Sequence, residues 1–348
     1  MLYSYNDVTI IPEEISHITH RSECDPTDEN GRLPIFTAPM SSIVNINNYN
    51  IYIKNHITPI IPRNIFFEDR LNLCKSGYWV AMSLDEFKNL DSLALNPELS
   101  YKICVDVANG HMASLYNAIK DVKKKFSNII IMTGNIANPG TLKYASAVGV
   151  DYIRLGIGAG AGCITSSNTG IHYPMASLIA ACRQTLLFCS DNVKKPKLIA
   201  DGGIRNYSDV NKALALGADY VMIGGLFSKC LESSYEFYYV KGDIHSKYDP
   251  IYNNIIIKDW LNGDKKLYHK FYGMASKEGM KDLGLTKHTA EGISKYIEVK
   301  YTLAQWTKNM EDYLRSAMSY CDSKTLEDFI KNAHVKLMSN NALNSINK

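Results

Sequence analysis

A single (β/α)8 barrel, an α/β fold of the TIM type, is predicted by three features of the sequence. Eight short apolar, β-rich runs recur along the chain, helical stretches separate them, and polar, glycine or chemically distinctive residues stand at the carboxyl ends of many of the runs. The runs are IFTAPM from Ile35, TPIIPR from Thr58, YWVAMS from Tyr78, ICVDVA from Ile103, IIIMTGN from Ile129, YIRLGI from Tyr152, KLIADGG from Lys197 and YVMIGG from Tyr220. Several are nearly continuous in apolar character, as strands must be when helices cover one face and a barrel interior the other, so parallel strands are favoured over hairpins. Between them, ASLYNAIKDVKKKF (Ala113 to Phe126) and SDVNKALALGA (Ser208 to Ala218) carry apolar residues at helical spacing, with Ser208 read as the cap of the second. The strand-end residues are Met40, Arg63, Asp106, Asn109, Asn135, Gly158, Asp201 and Gly224, and a barrel enzyme builds its site at that end. The stretch from Lys229 to Lys270, rich in Tyr, Lys, Asp and Asn, reads as a flap or excursion after the eighth strand that adds no ninth. The barrel domain is expected over 1–338, including the excursion 229–270 and a C-terminal extension, followed by a polar, frayed tail over 339–348.

With 348 residues and 46% hydrophobic content, the chain is long enough for one barrel of about 250 residues plus additions. The 38 basic and 35 acidic residues leave a formal charge of +3, which demands neither nucleic acid nor an acidic membrane surface as a partner. Eight cysteines (Cys24, Cys74, Cys104, Cys163, Cys182, Cys189, Cys230 and Cys321) are scattered, without a CxxC pair or a spacing that suits zinc, which points to a reducing cytoplasm. The start, MLYSYNDVTIIPEE, lacks a basic region followed by an apolar stretch, and no run of about 18 apolar residues occurs. A soluble protein without a membrane partner is expected.

The most informative segment is GIGAGAGCIT, Gly156 to Thr165, directly after the sixth run. Its glycines let backbone amides and carbonyls approach a ligand closely, and Cys163 ends the turn, where neighbouring donors would favour a thiolate nucleophile. A buried, inert thiol is the commoner fate of a cysteine. A dinucleotide fingerprint is the other use of such glycines, but the spacing is not GxGxxG. Next come IADGGIRN, Ile199 to Asn206, and MIGG, Met222 to Gly225, one βα unit later. Glycine pairs after the seventh and eighth strands expose amides where barrels bind phosphate, and Asp201 is placed to accept hydrogen bonds from ribose hydroxyls; a plain tight turn is the alternative for either pair alone. Finally KFYGMASKEGM, from Lys270, precedes HTAEGIS, from His288. Glu291 alone would be a solvated carboxylate, but beside Thr165 it becomes a proton relay.

GIGAGAGCIT, TGIHYP, ADGGIR, ALALGADYVMIGG, FYGMAS and LRSAMSYCDSKTLEDF, in that order, resemble the IMP dehydrogenase and GMP reductase family, and the likeness runs from YNDVTIIP to about Phe329. The resemblance implies a cysteine, here Cys163, that attacks C2 of a purine nucleotide to form a covalent thioimidate, E-XMP*. The dehydrogenase branch makes that adduct with NAD and hydrolyses it using a mobile flap with an Arg-Tyr pair. The reductase branch expels ammonia from GMP and reduces the adduct with NADPH. Ten positions, 281 to 290, separate Met280 from Glu291 and contain no Arg-Tyr pair. That spacing, together with FYGM, the GG after the eighth strand, DVANG and the absence of an inserted regulatory pair of domains, favours the reductase branch. IMP oxidation with NAD and a catalytically silent nucleotide-binding homologue are the alternatives.

By position, the resemblance assigns proton handling to Thr165 and Glu291. Substrate binding goes to Met40, Asp201, Gly202, Gly203, Gly224, Gly225, Gly273, Met274, Ala275 and Gly292. The dinucleotide goes to Arg21, Arg63, Asp106, Val107, Ala108, Ile157, Gly158, Ser316 and Ser319. The carbonyls of Gly158, Gly160 and Cys163 resemble a potassium site, and a homotetramer is implied. Departures from the family pattern are Ala159, Ala161 and Gly162 in the cysteine loop, Ser166 where an Arg is usual, the dehydrogenase-like APM at Ala38 to Met40 and Arg63-Asn64 pair, and His288 in place of an Arg.

Overall fold

The computed structural model describes residues 1–92, 96, 99–190, 192–233, 237–240, 243–247, 249–285, 289–339 and 342. Eight strands form one parallel sheet: β1 (Ile35–Thr37), β2 (Ile60–Ile61), β3 (Trp79–Met82), β4 (Tyr101–Asp106), β5 (Ile129–Ile136), β6 (Tyr152–Leu155), β7 (Lys197–Asp201) and β8 (Tyr220–Ile223). Neighbours in sequence are neighbours in space from β2 to β8, and β8 pairs with β1. Reciprocal bonds close the cylinder between β1 and β2: the Thr37 N–H donates to the Thr58 carbonyl and the Thr58 N–H to the Ile35 carbonyl, both at 3.0 Å. The fold is therefore the (β/α)8 barrel that the eight runs predict. β2 is cut to two residues because Pro59 and Pro62 flank it, and a proline has no N–H to give a ladder.

Side chains alternate along the strands. Inward ones such as Ile60, Ala81, Cys104, Met132, Ile199 and Met222 fill the barrel, while outward ones such as Val80, Ile103, Ile131, Ile153, Leu198 and Val221 join the larger core under the helices. At the amino-terminal end, Phe36, Trp79, Tyr152 and Tyr220 meet mostly edge to face, with ring centroids 5.1 to 6.0 Å apart. The Lys197 ammonium lies over Tyr220 and Tyr152 and pairs with Glu29 at 2.6 Å. Four aromatic rings thus close the barrel interior at this end.

Helix Ala113–Lys125 occupies nearly the stretch its periodicity indicates. Helix Tyr207–Ala215 corrects the expected cap: the side chain of Asn206, not Ser208, accepts the Asp209 N–H. Extended backbone at Asn206 lets its side chain turn back onto the first turn, whereas Ser208 already lies inside the helix and donates to Asn206.

Beyond β8 the chain adds nothing to the barrel. Strands Phe237–Val240, Asp243–Ser246, Tyr268–Tyr272 and Ser294–Glu298 form a separate antiparallel sheet, with helix Pro250–Leu261 between the second and third. Tyr238, Val240, Ile256, Leu267 and Val299 give it its own small core. This sheet reaches beyond residue 270, and pairing of its last two strands sets Tyr272 opposite Ser294 at the barrel mouth. The chain ends return to each other: Val8–Ile11 pairs antiparallel with His334–Leu337. Most of the tail expected over 339–348 lies outside the described residues, as does His288. No helix among the described residues is long and apolar enough to cross a membrane.

Candidate active site

Cys163 sits half-buried in the loop after β6, and that loop is laced to two other segments through backbone bonds. The Cys163 N–H donates to the Gly160 carbonyl (3.0 Å), the Ile164 N–H to the Glu291 carbonyl (2.9 Å) and the Ile293 N–H to the Gly162 carbonyl (2.9 Å). The Glu291 N–H in turn donates to the Ala275 carbonyl at 3.0 Å. The last two strands of the antiparallel sheet, Tyr268–Tyr272 and Ser294–Glu298, therefore deliver Gly273 to Ala275 and Glu291 to Gly292 against the cysteine loop.

Side chains continue this lacing into a donor chain. The Cys163 thiol donates to Thr165 Oγ1 at 3.3 Å, and the Thr165 hydroxyl donates to Glu291 Oε2 at 2.9 Å. A proton leaving the sulfur thus has a two-step path to a carboxylate. Six of the other seven thiols differ. Cys24, Cys74, Cys104, Cys182, Cys230 and Cys321 are buried, and burial pushes Cys74, Cys104 and Cys182 up to about 12.

Cys163 borders a cleft of about 210 Å³ at the carboxyl end of the barrel. Gly202 and Gly203, after β7, and Gly224 and Gly225, after β8, form one side; Gly273, Met274, Ala275, Glu291 and Gly292 form another; Met40, Ile204, Met222 and Phe271 supply apolar wall. Gly202 and Gly203 take φ of +104° and +76°, a left-handed pair that turns successive amides the same way and that side chains rarely adopt. A Cβ on Gly225 would lie 3.0 Å from that of Ala161, so the eighth-strand turn and the cysteine loop meet only because this residue is bare. No lysine or arginine is among the cleft's described lining residues, so an anion entering it meets backbone dipoles instead of opposite charge.

Asp201 also lines the cleft, and its carboxylate is oriented from behind. Asp201 Oδ2 accepts from Arg154 Nε (3.0 Å) and Nη2 (2.9 Å) and from Asn135 Nδ2 (2.8 Å). Arg154 Nη1 reaches Asp106 Oδ1 at 2.8 Å, and Arg63 Nε reaches the other Asp106 oxygen at 3.2 Å. Burial alone would raise the Asp106 carboxyl, but Arg154 and Arg63 together hold it below the usual carboxylate range. The Arg154 side chain is 9% exposed. Sequence reading passed over Arg154, although the signal was there: it is the charged residue in the otherwise apolar YIRLGI run, and a charge inside a strand covered on both faces needs partners.

The structure thus brings Cys163, Thr165, Glu291, Asp201, the glycine pairs, Met40 and the Gly273 to Ala275 turn to one cleft, with Arg63 and Asp106 linked to it through Arg154. Val107 and Ala108 follow Asp106 directly, and the Ile157 carbonyl faces His172 Nδ1 at 3.0 Å. Arg21, Ser316 and Ser319 form another cluster. Arg21 Nη1 donates to Ser316 Oγ at 3.3 Å, Asp312 lies 3.7 Å from the same guanidinium, and Ser319 donates to the Ser316 carbonyl. Their helix, Leu303–Tyr320, packs outside the barrel against Tyr207–Ala215. Of the three carbonyls read as a potassium site, Gly158 O accepts from the Ser166 hydroxyl at 3.1 Å and Gly160 O from the Cys163 N–H, which leaves each a second lone pair; no step below is routed through a cation.

Residues 80–347 match the family model described as IMP dehydrogenase / GMP reductase domain. The chain is 29% identical over 358 residues to a GMP reductase of Shouchella clausii (strain KSM-K16), an alignment covering 99% of this chain and 97% of the other. A GMP reductase of Staphylococcus aureus (strain JH9) is 30% identical over 339 residues, covering 94% and 93%. One of Staphylococcus saprophyticus is 29% identical over 342 residues, covering 95% and 94%.

Proposed function

The chain belongs to the IMP dehydrogenase and GMP reductase family, and from that premise we propose that it is a GMP reductase, carrying out the NADPH-dependent reductive deamination of GMP to IMP and ammonia. The observation that carries this reading is the chain of donors from the Cys163 thiol through Thr165 to Glu291 at the rim of a cleft floored by two glycine pairs.

In the proposed reaction, amides at Gly202 to Gly203 and Gly224 to Gly225 take the nucleotide phosphate, and Asp201 accepts from the ribose hydroxyls. These contacts fix the purine C2 over the sulfur. Cys163 passes its proton through Thr165 to Glu291 as the sulfur electron pair forms the bond to C2. Glu291 returns that proton through Thr165 to the exocyclic amine, which leaves as ammonia with the electrons of its bond to C2. The purine remains attached to Cys163 as the thioimidate E-XMP*. Arg63 and Asp106, charged partners beside the cleft, fit the polar face of a dinucleotide, together with Val107, Ala108, Ile157 and Gly158. NADPH, when bound, supplies the hydride that C2 accepts. The carbon–sulfur bond then breaks with its electron pair returning to Cys163, and IMP departs. Arg21, Ser316 and Ser319 join that cofactor site only if a neighbouring subunit carries them to it, so a homotetramer belongs to the proposal, as does a reducing cytoplasmic setting for the eight free cysteines.

The test is absorbance at the nicotinamide band. Loss of NADPH signal on adding GMP, with IMP and ammonia formed, is the expected result. XMP formation from IMP and NAD would mark a dehydrogenase, and GMP binding without either reaction would mark a silent nucleotide-binding protein. A second prediction concerns the relay. Glu291→Gln keeps the shape of the side chain but cannot take a proton, so kcat should fall by about 10²–10⁴ while GMP affinity in calorimetry changes by no more than a few-fold. An unchanged kcat would remove Glu291 from the mechanism.

A further inference from the structure

Two methionines line the cleft from segments far apart in sequence: Met40, in the loop after β1, and Met274, in the turn that follows strand Tyr268–Tyr272. Outside the cleft, side chains from both segments converge on one carboxylate. The Ser41 hydroxyl donates to Asp282 Oδ2 at 2.8 Å, and the Tyr272 hydroxyl donates to the same oxygen at 2.7 Å. Ser41 and Tyr272 are buried, so an acceptor lost from either hydroxyl is poorly replaced by water. Ser41 Oγ also lies 3.7 Å from Met274 Sδ, which brings the loop after β1 into contact with the turn itself. None of Ser41, Tyr272 and Asp282 is among the cleft's described lining residues.

Asp282 ends the helix Lys277–Asp282, whose start is fixed to the same turn. The Ser276 N–H donates to the Gly273 carbonyl at 2.9 Å, and the Ser276 hydroxyl accepts the Gly279 N–H at 3.1 Å. A Cβ on Gly279 would lie 2.5 Å from the Gly273 oxygen and 2.7 Å from Met274 Cα, so the helix presses on the turn with no side chain between them. From the other segment, the Ser42 hydroxyl donates to the Tyr272 carbonyl at 3.1 Å. Met40 Sδ lies 3.1 Å from where a Cβ on Gly224 would stand, which sets this methionine against the eighth-strand turn.

We propose that Asp282 is a positioning residue for nucleotide binding: from outside the cleft it latches the Gly273–Ala275 turn to the Met40–Ser42 loop, and so fixes the spacing of Met40 and Met274 along the wall that the purine ring meets. The proposal rests on the nucleotide reading above and adds to it a residue that touches no reactant. A rigid, flat base binds best to a wall already in place. Segments free to drift apart have to be ordered when the base arrives, and that cost shows as lost affinity.

Calorimetric titration with GMP, without NADPH, tests this on the wild-type chain, Asp282→Ala and Asp282→Asn, with melting midpoints measured on the same preparations. Asp282→Ala removes the shared acceptor, and GMP should bind about tenfold more weakly. In Asp282→Asn the amide oxygen accepts the same two hydroxyls, and because the residue is exposed its amide nitrogen is hydrated, so affinity should stay within about threefold of wild type. Tyr272→Phe, which removes one of the two donors, should fall between them. An Asp282→Ala chain with a lowered melting midpoint but unchanged GMP affinity would show a merely structural bond and overturn the proposal. So would an Asp282→Asn chain as weak as Asp282→Ala, which would assign the effect to charge. Since NADPH is absent, binding without turnover still decides the matter, whereas a wild-type chain that bound no GMP would end the nucleotide reading and this proposal with it.

Discussion

Cys163→Ala should bring GMP turnover down by at least about 10⁴, to the background of the assay, while leaving GMP affinity within a few-fold of the wild-type value. The asymmetry follows from what each part of the cleft does. Nucleotide binding is assigned to backbone amides of two glycine pairs and to Asp201, none of which involves the sulfur. The bond to C2, by contrast, has no substitute. Thr165 is the nearest hydroxyl, but it already donates to Glu291, and an alcohol is a far poorer nucleophile at neutral pH than a thiol. Cys163 is half-buried and donates one long hydrogen bond, so its removal should change stability by no more than about 1 kcal/mol. Steady-state rates and GMP calorimetry on the same preparation check both halves. Wild-type turnover in Cys163→Ala would end the nucleophile assignment, and lost GMP binding would mean that the sulfur holds the nucleotide instead of reacting with it. Cys182→Ala is the control. Its thiol is buried, and burial pushes its pKa up to about 12, so turnover should persist.

The barrel was legible because its strands are short, apolar and separated by helical periodicity, a pattern with few alternative closures. Register and boundaries were less so: β2 is limited by Pro59 and Pro62, and Asn206 overrides Ser208 as a cap, details set by local geometry rather than by periodicity. The site was legible where its chemistry is local in sequence, as in GIGAGAGCIT and the two glycine pairs. Glu291 was read as a partner of Thr165 through the family resemblance, and their 126-residue separation closes in the fold because strands Tyr268–Tyr272 and Ser294–Glu298 pair at the barrel mouth. Arg154 was hidden. A strand pattern registers an isolated charge as noise until its partners, Asp106 and Asp201 on β4 and β7, are seen to converge on it.

That convergence makes Arg154→Met the substitution with the largest expected cost to stability. The side chain of methionine fills similar space, but two largely buried carboxylates lose their shared cation, and removing one partner of a buried ionic group typically costs about 3–5 kcal/mol. The melting midpoint should fall by something on the order of 5–10 °C. Arg63 remains on one Asp106 oxygen and Asn135 on Asp201, so the fold should survive with a weakened site, and GMP affinity should drop as Asp201 loses its orientation. The pH dependence has a definite sign. In the wild-type chain, burial opposes and Arg154 with Arg63 more than offsets it, so the Asp106 carboxyl titrates below its unfolded value. Stability from that shift is present above the unfolded carboxylate pKa and is lost as pH falls towards the folded one. Without Arg154 the desolvation is no longer offset to the same extent, the carboxyl titrates higher, and protonation relieves the repulsion with Asp201. The difference in melting midpoint between Arg154→Met and wild type should therefore narrow as pH is lowered from 7 towards about 4. Arg154→Lys should lie between the two, because an ammonium keeps the charge but cannot span both carboxylates with a planar fork. A deficit that widened in acid, or a variant as stable as wild type at neutral pH, would show that Arg154 does not balance these two carboxylates.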